Sequence, residues 1–290
     1  VAGFRTPGLK SSLSKIQQKN PGRKIMKIIS LVPSITSTLA ELGHEADLVG
    51  CTSFCVDPPG LARRITVVGG TKDPDLSKIR SLAPDRILVN SEENRAEDIA
   101  LCWEIAPVHE SFPKHPGDVP EMIRSIGKFL GSDHAAGLLA DDTSKAIQDL
   151  EKTAKKNGSL ESFIYLIWRN PWMAAGNDTY ISRLLECAGL RNAVSTTRYP
   201  NVPMEMLVRL SPEIIFFSSE PWPFRKRDCE AFVAEWQGMT SQPVPKLLKI
   251  DGKSLSWHGS ETKKAATSLR LWIEGDPSTN IIRHAGPDGH

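Results

Sequence analysis

Charge of one sign is scarce in this chain: 36 basic residues meet 34 acidic ones, for a net charge of +2. A balance that even, with no basic stripe of interleaved aromatics, gives no electrostatic case for nucleic acid. Long apolar runs are missing too; none approaches the roughly 20 residues of a membrane-spanning helix. Cysteine is sparse and odd in number, five in all, which argues against a disulfide scaffold. Cys51 and Cys55 are spaced too widely for a thioredoxin-type pair, and no second pair completes a zinc set. The histidines at 44, 109, 115, 134 and 258 are scattered, so no metal site is expected. There is no Walker loop, no dinucleotide fingerprint, no zincin helix and no nucleophile elbow. His258 lies beside Ser260 and Glu261, but Ser260 reads as the cap of a last helix rather than as a triad member. The chain is therefore expected not to be an enzyme. Its first 25 residues are polar and basic and lack the apolar middle of a secretory signal. They read as a disordered or processed leader, with structure beginning at Met26.

The chain does contain a repeat. Leu82-Ala83-Pro84-Asp85-Arg86-Ile87-Leu88-Val89-Asn90-Ser91-Glu92 is answered by Leu210-Ser211-Pro212-Glu213-Ile214-Ile215-Phe216-Phe217-Ser218-Ser219-Glu220. Each copy reads as a helix end, a Pro-acid turn and a buried strand. Upstream, Thr71–Leu76 answers to Thr197–Val202, and the strands 27–32 and 163–168 each run into a loop and a helix. A period this long is too large for a solenoid, and it points to two lobes of one design. Length and a hydrophobic share of 40% allow two cores. Between the copies, Ser132-Asp133 can cap a helix that runs to Lys156, with Leu139, Ala146, Ile147, Leu150 and Ala154 on one face and Asn157-Gly158 as its stop. The expected organisation is a leader at 1–25, an N-terminal lobe at 26–131, a connecting helix at 132–157, a C-terminal lobe at 158–274 and a loose tail at 275–290. The fold class is α/β: two parallel-sheet lobes joined by one long backbone helix, with a ligand cleft between the lobes.

In open parallel sheets, ligands bind beyond the carboxyl ends of the strands. In the first lobe the residues there include Ser34, Phe54, Cys55, Gly69, Gly70, Lys72, Glu92 and Glu93. In the second they are Arg169, Trp172, Arg198, Tyr199, Glu220, Trp222, Phe224, Trp257 and His258. Ser34 also reads as the N-cap of the first helix. Four of the seven tryptophans, at 168, 172, 222 and 257, fall at strand ends or in the loops after them. Rigid aromatic faces suit a flat, bulky, partly apolar ligand. Taken singly, each Trp is as readily explained by packing.

The ordered motifs Ile28–Thr36, Val49-Gly50-Cys51-Thr52, Val68-Gly69-Gly70, Asp75–Asp85 and Arg198-Tyr199-Pro200 resemble the substrate-binding proteins of ABC importers that have a helical backbone. That family includes the vitamin B12-binding protein and the ferric-siderophore receptors. The resemblance covers essentially all of 26–273 and implies a monomeric, non-catalytic binder that meets a permease in the membrane. It implies no covalent cofactor and a bound cobalamin or related metal chelate, with Phe54, Trp168, Trp172, Tyr199, Trp222 and Trp257 lining the cleft. An anionic ferric siderophore would instead draw on Lys72, Arg169 and Arg198. A cytoplasmic enzyme or salvage accessory on the same fold and a docking scaffold are the readings from other classes. The family implies an extracytoplasmic site, whereas the missing signal fits a cytoplasmic one. Members usually offer the permease an acid on each lobe. Here Ser77, flanked by Lys78, stands at the first such position; Glu261 is the candidate for the second, and Asp73 or Asp75 are possible substitutes unless Asp75 caps its helix.

Overall fold

The computed structural model describes residues 26–158, 160–276 and 282–284. The expected leader and most of the expected tail lie outside them. The chain divides into two compact units, one ending at Glu110 and the other beginning at Ser111.

The first unit is built on β1 (Ile28–Ser30), α1 (Pro33–Glu41), β2 (Leu48–Cys51), β3 (Thr66–Val67), α2 (Leu76–Leu82), β4 (Arg86–Asn90), α3 (Ala96–Trp103) and β5 (Val108–Ser111). The sheet order is β3-β2-β1-β4-β5, and β1 pairs in parallel with both β2 and β4. Ile28 and Ile29, buried on a central strand, and Ile87, Leu88 and Val89 explain the continuous apolar runs of the sequence. Ile29, Leu31, Val68, Ile79, Ile87 and Ile99 form the core. α1 starts two residues earlier than the capping pattern suggests. Val32 is its N-cap and Pro33 opens it, so Ser34 sits within the first turn, buried, and does not cap. Proline explains the shift: its fixed φ suits the first helical position, and the N–H it lacks would have had no partner there. Asp75, by contrast, does cap α2, its carboxylate accepting from the Lys78 amide at 3.0 Å.

The second unit begins with α4 (Val119–Leu130) and α5 (Asp133–Asn157). It continues with β6 (Ser162–Trp168), β7 (Met173–Ala174), α6 (Tyr180–Cys187), β8 (Arg191–Asn192), α7 (Met204–Leu210), β9 (Ile214–Ser218) and α8 (Lys226–Met239). β10 (Lys246–Ile250), α9 (Gly252–Ser256), α10 (Ser260–Ile273) and β11 (Ile282–His284) complete it. The sheet order is β11-β10-β9-β6-β7, with β8 also on β6. The inner pairs β6–β9 and β9–β10 are parallel, while β7 and β11 run antiparallel at the edges.

The repeat has a structural purpose that the two sheets share. Ala83 and Ser211 both end their helices in the left-handed region, at φ 45° and 44°. The acid after each proline then ties its strand to the neighbour. The Asp85 carboxylate accepts from the Lys27 amide at 2.8 Å, and Glu213 accepts from the Ser162 amide and hydroxyl. At the far strand ends the copies match again: Asn90 Oδ1 accepts from the Glu92 amide, and Ser218 Oγ from the Glu220 amide.

α5, at 25 residues, is about 37 Å long. Ser132 holds its N-cap position without a side-chain capping bond, and Gly158 closes it in the left-handed conformation. Its buried stripe of Ala136, Leu139, Ala140, Thr143, Ile147, Leu150 and Ala154 packs on α4 and α10. The approach to α4 depends on Gly127, because a Cβ there would overlap the Ala136 methyl. Gly127→Ala is therefore expected to lower stability by about 1–3 kcal/mol, as overpacking does. Urea unfolding measures it, and an unchanged midpoint would show that the two helices part at no cost.

Candidate ligand site

In the first unit, the strand ends carry a buried cluster of hydroxyls and thiols. Thr36 Oγ1 lies 2.9 Å from Ser30 Oγ and 3.1 Å from Cys55 Sγ, and Thr52 Oγ1 is 3.2 Å from the same sulfur. The Cys51 thiol, with help from Thr36 and Thr52, holds Cys55 down to about 6, while Cys51 itself is pushed up. All five cysteines are free thiols. Above this cluster Phe54 is 59% exposed. Lys72 is exposed, and its ammonium donates to the Glu92 carbonyl at 2.6 Å.

In the second unit, the expected residues separate into two groups. Trp172 belongs to the core. It is 7% exposed, stacked on Phe224 at 6.1 Å and edge-on to Phe232 at 5.7 Å, and its indole donates to Glu235 at 2.9 Å. Arg169 lies over that indole at 5.5 Å and pairs with Asp228 at 2.6 Å. Burial works against the Asp228 carboxylate, yet the Arg225 amide and Arg169 hold it below the usual range. Trp172 and Arg169 thus brace the sheet against α8, which is the packing role that the sequence left open for each Trp.

The other group faces outward. Trp168, at the end of β6, is 36% exposed and meets the half-buried Trp222 edge-on at 5.0 Å. Trp257 is half-buried after α9, with the Lys253 ammonium 4.7 Å over its ring. Tyr199 carries the Arg198 guanidinium at 5.5 Å. Arg198 has a φ of 62°, and its carbonyl accepts from Gly176 at 2.7 Å. Gly176 is required there, since a Cβ would strike the Thr196 and Arg198 carbonyls.

Beside the aromatics stands Glu220, which the sequence reading placed at a strand end but not among the ligand residues. Ser256 Oγ donates to its Oε1 at 3.2 Å, and the Trp257 indole also bonds to it. Burial pushes its carboxyl above the usual range, with Asp251 adding to the shift and the Ser256 and Trp257 bonds opposing it. Proximity of 256–257 to 220 was not legible, because it depends on α9, a five-residue helix without a periodic pattern. Among the described residues, no group of three or more His, Cys, Asp or Glu could hold a metal ion.

The profile of the periplasmic binding protein family matches residues 28–241. The chain belongs to that family. The resemblance drawn from its motifs is thereby borne out. A vitamin B12-binding protein of Vibrio cholerae is 24% identical over 195 residues, 66% of this chain and 70% of that one. An uncharacterised ABC transporter substrate-binding lipoprotein of Bacillus subtilis is 25% identical over 201 residues, 65% of this chain and 62% of its own length. Among solved structures, the periplasmic vitamin B12-binding protein of Vibrio cholerae superposes with a TM-score of 0.71 at 19% identity, covering 88% of this chain and 99% of that one. A periplasmic heme-binding protein of Roseiflexus gives 0.74 at 18%, covering 87% and 99%. These structural likenesses support the two-sheet α/β fold. Among the described residues, no helix is long and apolar enough to cross a membrane.

Proposed function

We propose that this protein is the substrate-binding component of an ABC importer, and that it holds a planar metal chelate of the cobalamin type without transforming it. The observation that carries this reading is the outward aromatic group of the second unit, Trp168, Trp222 and Trp257, at the carboxyl ends of the strands. Flat indole faces offer a macrocycle apolar contact at little cost in side-chain freedom. Phe54 and Lys72, exposed after strands of the first unit, and Arg198 and Tyr199 in the second are the further residues proposed to contact ligand. The V. cholerae and heme-binding relatives lend the reading its two candidate ligand classes.

A corrinoid is favoured over an anionic siderophore by where the cations stand. Of the three cations an anionic siderophore would draw on, Arg169 is already ion-paired with Asp228, whereas Lys72 donates to the neutral Glu92 carbonyl and Arg198 lies over Tyr199. Docking on a permease belongs to the same proposal. With Asp75 engaged as a helix cap and bridged to Lys78 at 3.3 Å, the first unit offers that partner no simple acid in the usual place.

Titration with cyanocobalamin followed by intrinsic fluorescence tests the ligand. Saturable quenching is expected, and Trp222→Ala should weaken binding by about 1–3 kcal/mol, as loss of an aromatic anchor does. Unchanged affinity in a folded Trp222→Ala protein would remove the aromatic group from the site.

A further inference from the structure

We infer that Glu220, resting on the reading just given, is the specificity-determining group of the second unit, selecting chelates edged with hydrogen-bond donors such as carboxamides and rejecting those edged with carboxylates or catecholates. The carboxyl is held in place. Ser256 fixes Oε1 at 3.2 Å and the Trp257 indole bonds to the same side chain. Behind it, the Glu220 amide donates to Ser218 Oγ at 3.2 Å, and that hydroxyl lies 2.9 Å from the Tyr165 hydroxyl on β6. Gly252 leaves it room: a Cβ there would overlap Ser218 Oγ and crowd the Glu220 side chain. A carboxyl supported this closely has few other orientations to adopt.

Its surroundings decide what it can recognise. Among the described residues, no basic side chain pairs with Glu220; Asp251 is a second acid, and Lys253 lies over the Trp257 ring. An acceptor in a half-buried site, among indoles and without a counter-cation, pairs well with an N–H donor of a neutral ligand. The same group opposes an anionic edge by like charge and by the cost of leaving two acids desolvated together. Burial raises its pKa, the response of an acid that lacks a compensating cation. A carboxamide N–H would satisfy the ionised form, and a propionate or catecholate oxygen would not.

Isothermal titration of cyanocobalamin and of hemin into the wild-type protein, E220Q and S256A tests the inference. Wild type should bind cyanocobalamin more tightly than hemin. E220Q should weaken cyanocobalamin at least fivefold and strengthen hemin at least fivefold, a crossover that a merely structural residue would not produce. S256A keeps the charge but frees the carboxyl, and should weaken cyanocobalamin at least twofold while leaving hemin disfavoured. Parallel losses for both ligands in E220Q, or no change for either, would overturn the inference. Should E220Q fail to fold, an unchanged cyanocobalamin affinity in S256A overturns it instead. Binding of neither ligand by wild type would remove the proposed function itself, whereas tighter binding of hemin by wild type would remove only the role of Glu220.

Discussion

Trp172→Ala is expected to destabilise the protein by about 3–5 kcal/mol, the range for truncating a large buried aromatic. The indole fills the space between β6, the 220–224 loop and α8, touching Phe224 and Phe232 and carrying Arg169 on its face. Removing it leaves a void that rings on two sides cannot close, and takes the indole donor from the exposed Glu235 carboxylate, a small further loss. Denaturant unfolding, with Trp172→Phe as the milder control, gives the number. A loss below about 1 kcal/mol would mean that the surrounding rings collapse into the space. Contrast with Trp222→Ala makes the result diagnostic, since that ring is only partly buried against the core and its removal should lower the unfolding midpoint far less than it changes ligand affinity.

Acid should weaken the fold chiefly through His258, with His109, which burial also pushes down, adding in the same direction. Burial pushes the His258 imidazole down to about 4, against about 6.5 in an unfolded chain. The folded state therefore binds fewer protons than the unfolded state between these values. Stability is fully present above about pH 6.5 and is lost as pH falls toward 4, by about 3 kcal/mol in all. The raised Glu220 pKa acts in the opposite direction, favouring the fold slightly as pH falls through the carboxylate range. Unfolding free energies across pH 4–7 should slope accordingly, and H258Q, which cannot titrate, should flatten the curve. A slope that H258Q leaves unreduced would assign the acid sensitivity to other groups, His109 among them.

Much of the architecture was legible because it is repeated or strongly patterned. Pro84-Asp85 and Pro212-Glu213 announced the same turn twice, and each acid proved to fasten a neighbouring strand. α5 was legible from its apolar stripe and its Asn-Gly stop. The short edge strands β7, β8 and β11 were not, since two or three residues carry no periodicity. β5, with His109 and Glu110 in its middle, lacks the apolar run that marks a strand in sequence. The same limit governs the site. Position after a strand end is visible in sequence, but the direction of the side chain is not. Arg169 and Trp172 turned inward because Asp228 and Glu235, some sixty residues later, await them on α8, whereas Trp168 and Trp222 turned outward.

The segment from Pro221 to Phe224 alternates in a way that bears on how such a binder can change. Trp222 faces outward beside Trp168, and two residues on Phe224 is buried between Trp172 and Phe217. One tight stretch of chain thus carries an outward ring on one edge and a core ring on the other. Trp222 is only partly buried against the core, so on the proposed function substitution there changes the surface offered to cargo at a smaller cost to packing than substitution at 224. Drift at 224 offers no such freedom. On the proposed function, a single intervening proline stands between the ring that would meet cargo and the ring that holds the core.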